Sequence, residues 1–395
     1  MEHLVTALVT EPRPKGVVSM DANDRRVEGC MRFRLHYYHS RRDGMKSWIG
    51  EPSCSTIILN AMNLDEVARR AKVSTATVSR VLNNASVVKT STRARVMKAI
   101  GELKYHPNLH ARSLAGGKSR TLGVIVSNLE NPFFFDIHRT IEMDAHARGY
   151  EVVMANTDYR SEQLVASIRL MIGRRVAGLA AIVSEMDPAL IKELTEARIP
   201  AVFYDVGVQR ENITNIRVDY RRGIEKVLEY LHSLGHRRLG FIGHHAILGP
   251  INERMRTVLD AAARYPSLEV RTAADADSLE GGRQAARSLL STDFAPTALI
   301  CVNDLTAVGA LRELRERGLR VPQDISVTGF DNVKLSEFCY PPLTTVHIPR
   351  ERIGHIICSR LLAEGPQEPS NGEIVIDPEF VLRESTGPAP QPDKR

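Results

Sequence analysis

Between residues 121 and 385 short apolar runs alternate with longer amphipathic stretches. The runs at 122–126, 152–155, 179–183, 201–204, 239–242, 298–302 and 325–330 are mostly apolar, the pattern of strands buried on both faces. Between them, 168–172, 189–197, 224–234 and 305–317 repeat apolar residues at helical spacing. This alternation predicts α/β architecture: doubly wound parallel sheets covered by helices. The segment is longer than one sheet usually needs, so two lobes are expected. No repeat is short enough for a solenoid.

Residues 62–107 follow a different rhythm. Asn63 with Glu66 has the spacing of a capping box, and Leu64, Val67, Ala68 and Ala71 then form one apolar helical face. Lys72 and Val73 make a very short connection to Ser74, a second N-cap, and Val73 and Val78 are spaced as a hydrophobic staple. Val78, Val81 and Leu82 face inward, which leaves Thr75, Ala76, Ser79, Arg80 and Asn83 as a small, polar outer row. Two helices joined so tightly, the second with that outer row, predict a helix-turn-helix. A third helix is expected from a Thr92 cap, buried through Val96, Ala99, Ile100 and Leu103. The seven residues 109–115, between Pro107-Asn108 and Gly116-Gly117, are too few for an independent helix and would order only against a partner.

Charge sharpens this division. Residues 62–120 carry 12 basic and 3 acidic side chains, whereas residues 121–395 carry 32 basic and 37 acidic ones. A compact basic block beside an acidic body is the footprint of a nucleic-acid-binding head; a solvated basic surface is the plainer alternative. Residues 1–61 lack sustained periodicity, so a poorly structured extension is expected, with Met62 a possible true start. The five cysteines are scattered and never form CxxC, which disfavours a disulfide framework or zinc site and fits a cytoplasmic protein. The apolar run Leu4–Val9 is too short for a secretory signal, so export is not expected, and no apolar run in the sequence is long enough to span a membrane.

The segment 68–115, with Val73-Ser74-Thr75-Ala76-Thr77-Val78-Ser79-Arg80-Val81-Leu82-Asn83 and Leu103-Lys104-Tyr105-His106-Pro107-Asn108, resembles the headpiece of LacI/GalR-family transcriptional regulators. The resemblance runs from about 63 to 385 and includes Asn131-Pro132-Phe133-Phe134, Val302-Asn303-Asp304, Gly329-Phe330-Asp331-Asn332 and Pro342-Leu343-Thr344-Thr345-Val346. It implies a repressor whose two periplasmic-binding-protein-like lobes close on a small effector, such as a sugar. The family's partners are a pseudo-palindromic double-stranded operator and a second copy of the chain, as homodimer or tetramer, with no membrane, cofactor or metal. By this resemblance Thr75 and Ala76 choose bases, and Thr77, Ser79, Arg80 and Asn83 meet bases or phosphates. The hinge, with Asn108 and Ala111, becomes helical on DNA, and Leu114 wedges into the minor groove. The expected effector contacts are Phe133, Phe134, Arg254, Asn303 and Asp304.

Each effector residue also has a structural reading. Phe133 and Phe134 could pack a helix start, Arg254 could lie on the surface, and Asn303 and Asp304 could cap the next helix. Where the family arginine is followed by glycine and an aromatic residue, this chain has Thr257-Val258. The expected domains are a 62–107 head, a 108–120 hinge and linker, a 121–385 effector and dimerisation domain, and a disordered 386–395 tail. Lobe 1 is assigned 121–220 and 321–350, and lobe 2 is assigned 221–320 and 351–385. The rival readings are a small-molecule-processing enzyme and a solute-binding protein on the same fold. Neither GxGxxG after the first strand, GxxxxGK[ST] nor GxSxG occurs, and no catalytic constellation is visible.

Overall fold

The computed structural model describes residues 64–82, 87–105, 119–184, 186, 188–207, 213–245, 249–363 and 373–391. They fall into two units divided after Pro107. The 1–61 extension, Asn83 and the hinge positions Asn108, Ala111 and Leu114 lie outside the described residues.

The first unit holds α1 (Leu64–Ala71), α2 (Thr75–Leu82) and α3 (Thr90–Glu102). Val67, Ala68, Ala71, Val78, Val81, Val96 and Ala99 form its core, which is the inner face expected from spacing. The turn after α1 is tight because Lys72 takes φ +51° and Val73 N donates to Ala68 O at 3.0 Å. Ser74 Oγ accepts from Thr77 N at 3.3 Å, as an N-cap should. The third helix departs from expectation. It starts at Thr90, because Lys89 is the extended residue and Arg93 N already donates to Lys89 O, so Thr92 lies inside the first turn.

The second unit begins with β1 (Thr121–Val126), α4 (Pro132–Ala147), β2 (Glu151–Asn156), α5 (Ser161–Gly173), β3 (Gly178–Ile182), α6 (Pro188–Glu196), β4 (Ala201–Tyr204) and β5 (Ile213–Val218). It continues through α7 (Tyr220–Ser233), β6 (Arg238–His244), α8 (Gly249–Arg264), β7 (Glu269–Asp275), α9 (Leu279–Leu290), β8 (Ala298–Cys301), α10 (Asp304–Glu316), β9 (Ser326–Thr328), α11 (Lys334–Phe338) and β10 (Thr345–His347). Then come α12 (Arg350–Leu361), β11 (Ile374–Ile376) and β12 (Glu379–Val381). The first lobe is a six-stranded parallel sheet ordered β11-β5-β4-β3-β1-β2; the second is a four-stranded parallel sheet ordered β7-β6-β8-β9. The buried runs sit mid-sheet, with Val124 beside both Met154 and Ala180.

The lobe assignment needs correction after residue 320. β9 belongs to the second sheet, whereas α12 packs on α4 and β11 pairs with β5 in the first lobe. A Cβ on Gly354 would crowd Thr140 and Ile137 O of α4, so this glycine permits the close helix contact. The chain therefore crosses between lobes near 219 and 348, close to the expected 220 and 350, but the third crossing lies near 377 and not near 320. The expected disordered tail is corrected as far as it is described. Val327 N donates to Ser385 O, Gly387 N to Ser326 Oγ and Ala389 N to Leu234 O, so this segment covers the outer edge of β9. Its prolines obscure any periodic signal, yet the backbone N–H groups of Gly387 and Ala389 still find partners. No helix among the described residues is long and apolar enough to cross a membrane.

Candidate functional site

On the first unit, the inward valines of α2 fix which residues look out. Ala76 and Arg80 are exposed, and Thr75, Thr77 and Ser79 are half-exposed. The Thr77 hydroxyl lies 3.0 Å from Ser74 Oγ, so it also serves the helix start. Arg93 donates to Val81 O at 3.4 Å, and Arg70 pairs with Glu102 at 2.6 Å, fastening α3 to the other two helices. The result is a small rigid frame presenting a polar helix face amid many basic residues, suited to a DNA groove.

The second unit has a cavity of about 40 Å³ between its lobes, roomy enough for a few waters. The first lobe contributes Asn131, Phe133, Phe134, Tyr159, Ser184 and Tyr204; the second contributes Tyr220, His244, Ile251, Arg254, Asn303 and Asp331. Asn131 caps α4 by accepting from Phe133 N at 3.0 Å, which aims the two phenylalanines inward at the carboxyl ends of the strands. Phe133 and Phe134 meet edge to face at 5.3 Å, with Tyr204 5.8 Å from Phe133.

Arg254 is buried against the opposite wall. Its guanidinium donates to Val302 O at 2.7 Å, lies 3.8 Å from Asp331 Oδ1, and stacks 4.7 Å from Tyr220 and 5.0 Å from Phe330. Burial pushes the Asp331 carboxyl up to about 8, against the opposing pull of Arg254. Outside the lining, next to Tyr204, Asp205 accepts from Tyr220 Oη at 2.6 Å and from Val218 N at 2.9 Å. Burial raises Asp205 to about 7 despite these bonds. His244, also desolvated by burial, is lowered to about 4.

Four of the five expected effector residues, Phe133, Phe134, Arg254 and Asn303, line this one cavity. Asn303 is also the N-cap of α10, accepting from Thr306 N at 2.9 Å while donating to Asp277 at 2.6 Å. Asp304 is elsewhere. It is fully buried outside the cavity lining, accepting from Thr345 Oγ1 at 2.5 Å and from Val333 N at 2.8 Å, so it supports the 330–333 loop. Asp331, Tyr204, Tyr220, Tyr159 and His244 were missed as site residues. Asp331 stands in the Gly329-Phe330-Asp331-Asn332 motif, but the others carry no local signal because distant strand ends bring them together. Asp277 ties the lobes at the rim, accepting from Tyr159 Oη at 2.7 Å and from Asn128 Nδ2 at 3.0 Å.

Residues 63–108 match the model for bacterial regulatory proteins of the lacI family, and residues 228–386 match a periplasmic binding protein-like domain. The HTH-type transcriptional repressor PurR of Edwardsiella ictaluri is 34% identical over 342 residues, covering 84% of this chain and 99% of that protein. A lac repressor dimer bound to operator and the anti-inducer ONPF is 30% identical with a TM-score of 0.68, covering 82% and 99% of the two chains. A complex of the transcriptional regulator CelR with cellobiose is 27% identical with a TM-score of 0.57, covering 82% and 99%. With its helix-turn-helix and two-lobed effector-binding core, the chain belongs to the LacI family of bacterial regulatory proteins, as a DNA-binding transcriptional regulator and not an enzyme.

Proposed function

We propose that this regulator is a cytoplasmic homodimeric repressor released from or held on its operator by a small uncharged sugar bound between the lobes. The observation that carries the ligand class is the cavity itself: a buried guanidinium 3.8 Å from a carboxyl, facing a wall of aromatic rings. Paired polar groups suit vicinal hydroxyls, and ring faces suit the apolar side of a pyranose or furanose. The relative that holds cellobiose supports the same class. Phe133, Phe134, Arg254 and Asn303 line the site, Asp331 takes the contact role expected of Asp304, and the lobes must part to admit a whole sugar.

For the operator, Thr75 and Ala76 are the base-choosing positions. Thr77, Ser79, Arg80, Asn83, Asn108 and Ala111 meet bases or phosphates, and Leu114 is the minor-groove wedge. The proposed division is a head at 62–107, a hinge and linker at 108–120, a first lobe at 121–219 and 348–376, and a second lobe at 220–347 and 377–391. A gel-shift assay on the gene's own upstream DNA, repeated with D-ribose, D-glucose and cellobiose, tests the reading. Specific retardation altered by one of these sugars or a close relative is expected. Binding without sequence preference would overturn it.

A further inference from the structure

The loop that presents Asp331 to the cavity holds an unfavourable backbone. Asp331 takes φ +102° and Asn332 φ +53°, values that residues with a side chain seldom adopt. Its N–H groups are well anchored: Asp331 N donates to Val346 O at 2.8 Å and Val333 N to Asp304 at 2.8 Å. Its carbonyls depend on one side chain. Arg350, 11% exposed at the start of α12, donates through Nη1 to Asp331 O and through Nη2 to Asn332 O at 2.9 Å. Ile348 N adds only a 3.5 Å contact to Asp331 O. The remaining edge of the guanidinium, Nε, donates to Asp136 Oδ2 at 3.0 Å. Asp136 lies on α4, the helix whose first turn carries Phe133 and Phe134.

We propose that Arg350 is a positioning residue of the effector cleft, joining the carbonyls of Asp331 and Asn332 to Asp136 so that the Asp331 carboxyl stays opposite Phe133 and Phe134. This rests on reading the cleft as the effector site. The guanidinium fork suits the task, because it donates in two directions from one plane, which an ammonium cannot do in the same geometry. Arg350 does not line the cavity, so its influence passes through the loop and through α4. The two walls of the site are thereby set by one side chain at a crossing between lobes.

The test compares full-length parent, Arg350→Met and Arg350→Lys by crystallography, calorimetry and the ¹⁵N guanidinium resonance of Arg254. In the parent, Asp331 should hold positive φ beside Arg254. Both variants should lose that conformation, withdraw the carboxyl from Arg254 and shift its resonance. The lysine variant should recover much of the unfolding temperature lost by the methionine variant, while leaving Asp331 displaced. If the methionine variant fails to fold, the lysine variant decides. Asp331 unmoved and the Arg254 resonance unshifted in Arg350→Lys would overturn the proposal, whatever happens to stability. Binding of D-ribose and cellobiose to the parent and to Arg254→Ala judges the effector reading separately: failure of the parent to bind any sugar defeats that reading alone.

Discussion

Removing one oxygen from Tyr159 should loosen the two lobes from each other. Tyr159 and Asp158 both hold positive φ, +56° and +54°, in the turn after β2, and the ring reaches from the first lobe to Asp277 of the second at 2.7 Å. A hydrogen bond to a carboxylate contributes about 1.5–3 kcal/mol. Asn128 and Asn303 still bond the carboxylate after Tyr159→Phe, so the lower end, about 1.5 kcal/mol, applies. The phenyl ring keeps its packing 4.8 Å from His244, which confines the change to the hydroxyl. At about 2–4 °C per kcal/mol for a unit of this size, calorimetry should show a fall of about 3–6 °C. Tyr230→Phe is the matched control. Its hydroxyl meets Thr386 Oγ1 at 3.3 Å within one lobe, and its loss should cost about 0.5 kcal/mol. A Tyr159→Phe protein no less stable than this control would refute the idea that Asp277 latches the lobes.

Between pH 6.5 and 8 the core should lose stability as pH rises. Burial raises Asp331 to about 8 and Asp205 and Asp304 to about 7, so the fold keeps protons that the unfolded chain has already released. Below about 6.5 the lowered His244 adds the opposite slope, because the unfolded imidazole gains a proton first. Calorimetry across this range should show a falling unfolding temperature, less steep in Asp331→Asn; a flat profile contradicts the assignment. Gly309→Ala should destabilise the second lobe by about 2 kcal/mol, since overpacking near 3 kcal/mol exceeds about 1 kcal/mol of gained helix propensity. The new methyl would overlap Leu279 O and lie 2.8 Å from Arg283 N, and a rise in unfolding temperature would show that α9 and α10 are further apart. Operator affinity should fall tenfold or more, on the order of several phosphate contacts, between 50 and 200 mM salt. Arg80→Ala should weaken binding across sequences, whereas changes at Thr75 or Ala76 should alter base preference; filter-binding titrations separate these outcomes.

Local periodicity made much of this architecture legible. The inner face of the head and the central strands of both sheets are buried as their spacing predicts, because each set of residues packs into the core of its own unit. β5 was missed because Asn215 and Arg217 interrupt its apolar run, and both are satisfied by Glu373, 158 and 156 residues further on. β7 was missed because it is an edge strand whose Arg271, Thr272 and Glu269 face water. The cleft was half legible. Phe133, Phe134 and Arg254 stand in recognisable contexts, but Asp304 owes its role to Val333 and Thr345, which local sequence cannot place. Asp331 escaped notice as a site residue because its usefulness comes from a backbone angle, which the amino-acid type conceals.

The position of β11 bears on how the protein is made. It is the outer strand of the first lobe and pairs with β5, although most of the second lobe is encoded between them. On the ribosome, Ile213–Val218 emerges long before Ile374–Ile376, and the newly made first lobe presents an unpaired sheet edge throughout that interval. The nascent chain is therefore most open to chaperone capture or mispairing while its second lobe is being translated, and release of the last residues completes both lobes almost together.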